Sequence, residues 1–261
     1  MTEQHQTETT PWWRQFFDDD YAAFGLAAID AERTRRTADF IIEALDLQPG
    51  QTVFDQCCGI GRLSMPLAER GIRVIGVDLI ESYVAAARHR AQEDNLSCEF
   101  HQGDAHEFIA PEPCDAAINW YTSFGYDEDD AVNIRVLRCA FESLKPGGRL
   151  ALDYYCTPAI LAGFRPHVIV RPDAKALDDL IVIHENDLDF ERGMIHSLWT
   201  AIYADGRRIA KPVQTRLYLP HEIIALLKRC GFVDTALCGD IDGSAFARDS
   251  RRCIATARRP S

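Results

Sequence analysis

The stretch Thr52-Val-Phe-Asp55-Gln-Cys-Cys-Gly59-Ile-Gly61-Arg, continued by Leu63-Ser-Met-Pro-Leu-Ala-Glu-Arg-Gly71-Ile and then Arg73-Val-Ile-Gly-Val-Asp78, decides how the chain is read. A buried strand ends in an acid, a tight glycine turn and a helix follow, and a second buried strand ends in another acid. This order predicts a grip for a nucleotide-type cofactor. Gly59 and Gly61 let a ligand press against bare backbone, and the helix after them is expected to offer unpaired N–H groups. Asp55 is placed to anchor the turn or a ligand amine, and Asp78 to meet the two hydroxyls of an adenosine ribose. A dinucleotide would tolerate the spacing from Gly61 to Asp78 as well, although its fingerprint wants a glycine or alanine where this chain has Ser64.

Outward from this stretch the chain alternates. Strands are predicted at 53–55, 73–77, 97–101 and 116–120, with helices about 30–46, 61–70, 81–94 and 129–144 between and around them. Lys145-Pro-Gly-Gly148 reads as a helix stop and turn before a fifth strand from Arg149, so the sheet should be parallel and covered on both faces. After residue 156 the rhythm changes to three antiparallel strands at 180–187, 194–203 and 208–219, with Asp205-Gly206 as a hairpin turn. Pro220 opens a helix, and two closing strands follow near 232–237 and 253–257. Residues 1–10 are polar and read as disordered, whereas Trp12-Trp13-Arg14-Gln15-Phe16-Phe17 and Tyr21 read either as an arm packed on the domain or as a lid over the cofactor cleft. The division expected is an arm over 1–30, a core over 31–156 and 220–261, and a substrate-side insert over 157–219.

Composition limits the partners. With 28 basic against 40 acidic residues and a formal net charge of -12, long-range attraction to nucleic-acid phosphates or anionic lipid is opposed, so neither is expected. No apolar run is long enough to span a membrane, and the first residues lack the pattern of a signal peptide, which points to a cytoplasmic location. Nine scattered cysteines without a Cys-x-x-Cys pair indicate neither a disulfide framework nor zinc. Asp240-Ile-Asp-Gly-Ser244 lacks the third carboxylate and closing glutamate of a calcium loop and reads as a structural turn, so no metal is expected.

Taken together, Asp55-Gln-Cys-Cys-Gly-Ile-Gly61, Val77-Asp78, Gly103-Asp104-Ala105, Ile118-Asn119-Trp120, Leu144-Lys-Pro-Gly-Gly148 and the closing strand pair resemble the class I S-adenosylmethionine-dependent methyltransferases. The arm, Ser123-Phe-Gly-Tyr126 and Gly239 to Ser244 are similar to the small-molecule members with an N-terminal lid and an antiparallel insert. Gln56 and Ile60 depart from the family's usual residues. The resemblance implies an α/β, Rossmann-like, seven-stranded and mostly parallel sheet in the order 3-2-1-4-5-7-6, with helices on both faces and a small antiparallel insert. It implies S-adenosylmethionine as cofactor, held by Trp13, Tyr21, Asp55, Cys57, Gly59, Gly61, Asp78, Leu79, Gly103, Asp104, Ala105, Asn119 and Trp120.

The acceptor is expected to be a small molecule, with a homodimer admitted. A nitrogen acceptor needs only alignment, whereas a hydroxyl or an acidic carbon needs a base, for which His184 on the insert is the candidate and Tyr126 a further catalytic one. A satisfied structural histidine is the plainer reading of His184, and Tyr121, Tyr126, Tyr154 and Trp199 read either as walls of the acceptor pocket or as core or rim packing. A non-catalytic S-adenosylmethionine or S-adenosylhomocysteine binding module with the insert as an interface is the alternative from another class.

Overall fold

The computed structural model describes residues 11–26, 30–171 and 179–261, so the expectation for residues 1–10 lies outside the described residues. Short, continuously apolar strands dictate the main sheet. Its strands are β1 (Thr52–Gln56), β2 (Arg73–Asp78), β3 (Cys98–Gln102), β4 (Cys114–Asn119), β5 (Leu144–Tyr154), β10 (Val233–Cys238) and β11 (Cys253–Arg258), in the order β3-β2-β1-β4-β5-β11-β10. The pairs among β1 to β5 are parallel and both pairs made by β11 are antiparallel, as the expected order 3-2-1-4-5-7-6 requires.

Alternate residues feed two cores. Phe54, Ile75, Ala117, Leu150 and Leu152 face α6 (Asp130–Ser143) and α8 (Pro220–Arg229), through Ile134, Leu137, Ile223 and Leu226. Val53, Val74, Ala116, Ile118 and Ala151 face the other way, towards Ala38 and Ile41 of α3 (Ala31–Ala44) and Leu67 of α4 (Ser64–Glu69). Burial on both faces explains why these strands read as continuous apolar runs. All nine cysteines are free thiols, each buried or half-buried.

Two expectations are corrected here. Lys145-Pro-Gly-Gly148 is not a turn outside the strand: β5 begins at Leu144 and absorbs the segment as a register shift between Cys114 and Ala116 of β4. The insert carries four strands rather than three, because β6 (His167–Val170) pairs antiparallel with β7 (Ile181–Asp189). β8 (Met194–Ile202) and β9 (Arg208–Arg216) complete this second sheet, and α7 (Thr157–Ala162) precedes it. The four exposed or half-exposed residues of β6 have no alternating burial to betray a strand. Before the core come two short helical turns, α1 (Trp13–Phe16) and α2 (Asp19–Tyr21).

Candidate functional site

The carboxyl ends of β1 to β4 open into a cavity of about 240 Å³, roofed by the N-terminal arm and by β8 and β9 of the insert. Its floor is the glycine turn. Cys57, Gly59 and Gly61 all have left-handed backbone, with φ of 57°, 56° and 76°. Gly59 faces open space where a Cβ would stand, which leaves room for a ligand against its backbone. Gly61 turns inward instead, where a Cβ would meet Met65 at 2.7 Å and Phe100 at 3.2 Å. Helix α4 has only six residues and begins at Ser64, so it is the loop backbone from Cys57 to Ile60 that lines the cavity here.

Asp55 lies beneath the turn, 3% exposed, and accepts the Ser64 hydroxyl at 2.6 Å. Burial pushes its carboxyl up to about 7, with the Ser64 bond opposing and Asp78 adding to the rise. It is therefore an anchor of the turn. Asp78 faces the cavity; its carboxylate accepts the N–H groups of Gly59 at 2.8 Å and Ile80 at 3.0 Å, and burial raises its pKa against those bonds. Asp104 also faces the cavity. It is held at about 2 by His106, through a 2.7 Å contact with the ring and a 3.0 Å backbone bond, while Arg14 of the arm pairs with its other oxygen at 2.7 Å.

The arm is fastened at several points. Trp12 donates its indole N–H to the Tyr126 carbonyl at 2.9 Å, and Trp13 stacks on His106 with ring centroids 5.7 Å apart. Asp18 forms an ion pair with Lys211 of β9, and its carbonyl accepts the Tyr83 hydroxyl at 2.6 Å. Phe16 meets Trp199 edge-on at 5.5 Å. The wall between β4 and α6 is set by Asp153. This buried carboxylate is clamped by both arms of Arg252, at 2.5 and 2.7 Å, and accepts the Tyr121 N–H at 3.0 Å. Tyr121 and the following Thr122 are thereby held at φ of 57° and 61°, which non-glycine residues seldom adopt.

Of the residues singled out from sequence, Trp13, Tyr21, Cys57, Gly59, Asp78, Leu79, Gly103, Asp104, Ala105, Trp120 and Tyr126 come together at the cavity. Asp55, Gly61, Asn119 and His184 are not on its surface. Asn119 is fully buried and donates to the Ser123 carbonyl at 3.2 Å. His184 stacks flat on Trp199 at 4.1 Å, behind the ring that does line the cavity, and desolvation lowers its pKa. Burial moves the Tyr126 phenol well above its ordinary value, so it stays neutral. Arg62, Tyr83, His106, Tyr155 and Lys211 were not anticipated. Lys211 is 8% exposed and shares one face of β9 with Ile209 and Val213, so an inward lysine was the available signal. Among the described residues no group of three or more His, Cys, Asp or Glu could hold a metal ion, and no helix is long and apolar enough to cross a membrane. Asp240 bonds Arg33 and its own loop, as a structural turn does.

Fold and cavity define a Rossmann-like protein whose cavity lies at the carboxyl edge of its sheet, where open α/β sheets take their ligands. Residues 53–148 match the family model of a methyltransferase domain. The phosphoethanolamine N-methyltransferase 1 of Arabidopsis thaliana is 30% identical over 138 residues, 51% of this chain and 26% of that one. The 23S rRNA (uracil(1939)-C(5))-methyltransferase RlmD of Shewanella sp. (strain ANA-3) is 35% identical over 140 residues, 51% of this chain and 29% of that one. The chain thus spans less than a third of the length of these relatives. Among solved structures, an S-adenosylmethionine-dependent methyltransferase from Clostridium acetobutylicum superimposes with a TM-score of 0.75 at 18% identity, covering 93% of this chain and 97% of that one. The amino pentose methyltransferase CalS10 from Micromonospora echinaspora, solved with S-adenosylmethionine bound, gives 0.66 at 20% identity over 94% and 98%. Residues 53–148 thus resemble a methyltransferase domain, and the chain shares the fold of S-adenosylmethionine-dependent methyltransferases.

Proposed function

We propose that the protein transfers a methyl group from S-adenosylmethionine to a nitrogen atom of a small-molecule acceptor. The open face of Gly59 and the inward carboxylate of Asp78 fit the donor: bare backbone for its chain and a desolvated acceptor pair for ribose hydroxyls. Asp104 and Ala105 would meet its adenine end. When bound, the donor supplies a methyl group already activated on a positive sulfur.

The observation that carries the nitrogen reading is that, among the described residues lining the cavity, the carboxylates are engaged and the one histidine, His106, is paired with Asp104 and stacked on Trp13. Asp78 is committed to Gly59 and Ile80, Asp104 to Arg14 and His106, and His184 stands behind Trp199. A neutral amine attacks without surrendering a proton first, so such a cavity needs only to align it and exclude water. Alignment falls to Trp12, Phe16, Tyr126 and Trp199, whose rings close the chamber opposite the turn. In this reading residues 1–30 are the lid, 31–156 and 220–261 the core, and 157–219 the acceptor roof. The amine substrates printed in the names of phosphoethanolamine N-methyltransferase and the amino pentose enzyme are in keeping with it.

The test is a product screen by mass spectrometry, with the protein offered small amines, phenols and total RNA. Methylated amines are expected. Methylated phenols alone would move the acceptor to oxygen, methylated RNA would replace the small molecule by a nucleic acid, and tight donor binding without product would leave a binding module.

A further inference from the structure

Two hydroxyls on the cavity surface have no part in the transfer described above. Thr215 of β9 and Tyr155, the residue after β5, both line the cavity, and among the described residues neither hydroxyl makes a hydrogen bond. Thr215 is 2% exposed and shares the inward face of β9 with Lys211 and Val213, as alternate residues of a strand do. The Tyr155 ring lies 5.7 Å from that of Tyr154 and 5.8 Å from the Arg252 guanidinium, and burial raises its pKa, so the phenol keeps its proton. By contrast, other hydroxyls of the cavity are engaged. Tyr83 donates to the Asp18 carbonyl at 2.6 Å, Ser123 to the Trp120 carbonyl at 2.9 Å, and Thr122 accepts from Arg252 at 2.7 Å.

A buried O–H without an acceptor is costly, and the acceptor nitrogen cannot supply one. An amine that attacks the methyl group must keep its lone pair for the new bond, so it donates N–H hydrogens and accepts none. The hydrogens of Thr215 and Tyr155 therefore call for an oxygen elsewhere on the same molecule. Charge decides which oxygen. The cations on these elements and beside them are already paired, Lys211 with Asp18, Arg216 with Asp130 and Arg252 with Asp153, and the roof is closed by the rings of Phe16 and Trp199. A phosphate or carboxylate drawn in there would lose its water without gaining a countercharge. An uncharged hydroxyl, with two lone pairs, can accept from both residues. Arg62, whose guanidinium stands over Tyr121, belongs to the turn after β1 and not to these elements, so phosphorylated amines enter the test as the rival class.

We propose that Thr215 and Tyr155 bind the acceptor and that the acceptor is an amino alcohol, its uncharged hydroxyl held by this pair while its amine faces the methyl group. This deepens the nitrogen reading above and rests on it. In the transfer the amine lone pair forms the new N–C bond, the electron pair of the broken C–S bond goes to sulfur, and one proton of the methylated amine passes to solvent.

Wild type, Thr215→Val, Thr215→Ser and Tyr155→Phe are given S-adenosylmethionine and two matched series, with phenol as the oxygen control. One series is 2-aminocyclohexanol, cyclohexylamine and 2-aminocyclohexyl phosphate; the other is ethanolamine, ethylamine and phosphoethanolamine. Melting curves and calorimetric affinity for S-adenosylhomocysteine verify that each variant is folded, and the wild-type ratios decide alone where one is not. In wild type, kcat/KM for an amino alcohol should exceed that for its deoxy amine about tenfold or more. The ratio should fall towards one in Thr215→Val and Tyr155→Phe and be kept in Thr215→Ser. A wild-type ratio near one, a preference for the phosphate esters, or variants that lower both amines equally overturn the inference and leave the nitrogen reading in place. Methylation of phenol alone, or no product from any amine, fells the nitrogen reading itself and this inference with it.

Discussion

The Asp78 carboxylate accepts the Gly59 N–H at 2.8 Å, so one side chain at the end of β2 both fixes the turn after β1 and stands at the edge of the space that turn leaves open. In the proposed reading, loop geometry and ligand contact are joined in one group. Asp78→Ala should weaken S-adenosylhomocysteine binding by about 1–3 kcal/mol, the usual cost of leaving buried polar groups unpaired. Calorimetry on a variant with an unchanged melting temperature checks this, and unaltered affinity would remove Asp78 from the site.

The arm is pinned to the core by Arg14–Asp104 and to the insert by Asp18–Lys211. If it is a lid, Lys211→Met should raise the dissociation rate of S-adenosylhomocysteine more than it lowers the association rate. Stopped-flow fluorescence of Trp12 and Trp13 reads both. Unchanged kinetics in the folded variant would return the arm to simple packing.

His184→Phe keeps a flat ring against Trp199 while removing the imidazole. Turnover of an amine substrate is expected to stay within about threefold, far from the 10²–10⁴-fold typical of losing a general base. A fall of that size, together with loss of a pH-rate limb, would restore the histidine as a base.

Asp55 gives the fold a pH signature. Its folded pKa of about 7 lies above the roughly 3.9 expected in the unfolded chain, so the folded state binds the extra proton between those values. Its contribution to stability is full below about pH 4, declines as pH rises to about 7, and is flat beyond. Asp55→Asn should flatten the difference in urea midpoint between pH 4.5 and pH 8. An equal difference in both proteins would show that the carboxyl ionises normally.

How much of this was legible follows from the range of the interactions. The parallel sheet covered on both faces came from the alternation of strands and helices, with apolar residues needed on both faces, as with Val53 and Phe54, whereas the strand order came from the family resemblance. The turn and Asp78 were legible from local spacing. Asp55 was equivocal, since a strand-end acid can face a ligand or the chain, and only the Ser64 bond decides. Arg14–Asp104 and Lys211–Asp18 join residues 90 and 193 positions apart, and no spacing rule reports such pairs. β6 escaped notice because it is short and mostly exposed, and Arg62 because a residue beside a glycine motif is easily absorbed into it.

The thiols provide a clock. Cys57 and Cys58 line the cavity, and burial with the charges of Asp55 and Asp78 holds both far from the reactive thiolate. Alkylation of the native protein should therefore be slow, and the labelling rate of these two cysteines, followed by mass spectrometry against an unfolded control, reports how readily the chamber opens. Saturating the cavity with nucleoside should slow that labelling, and Lys211→Met should quicken it.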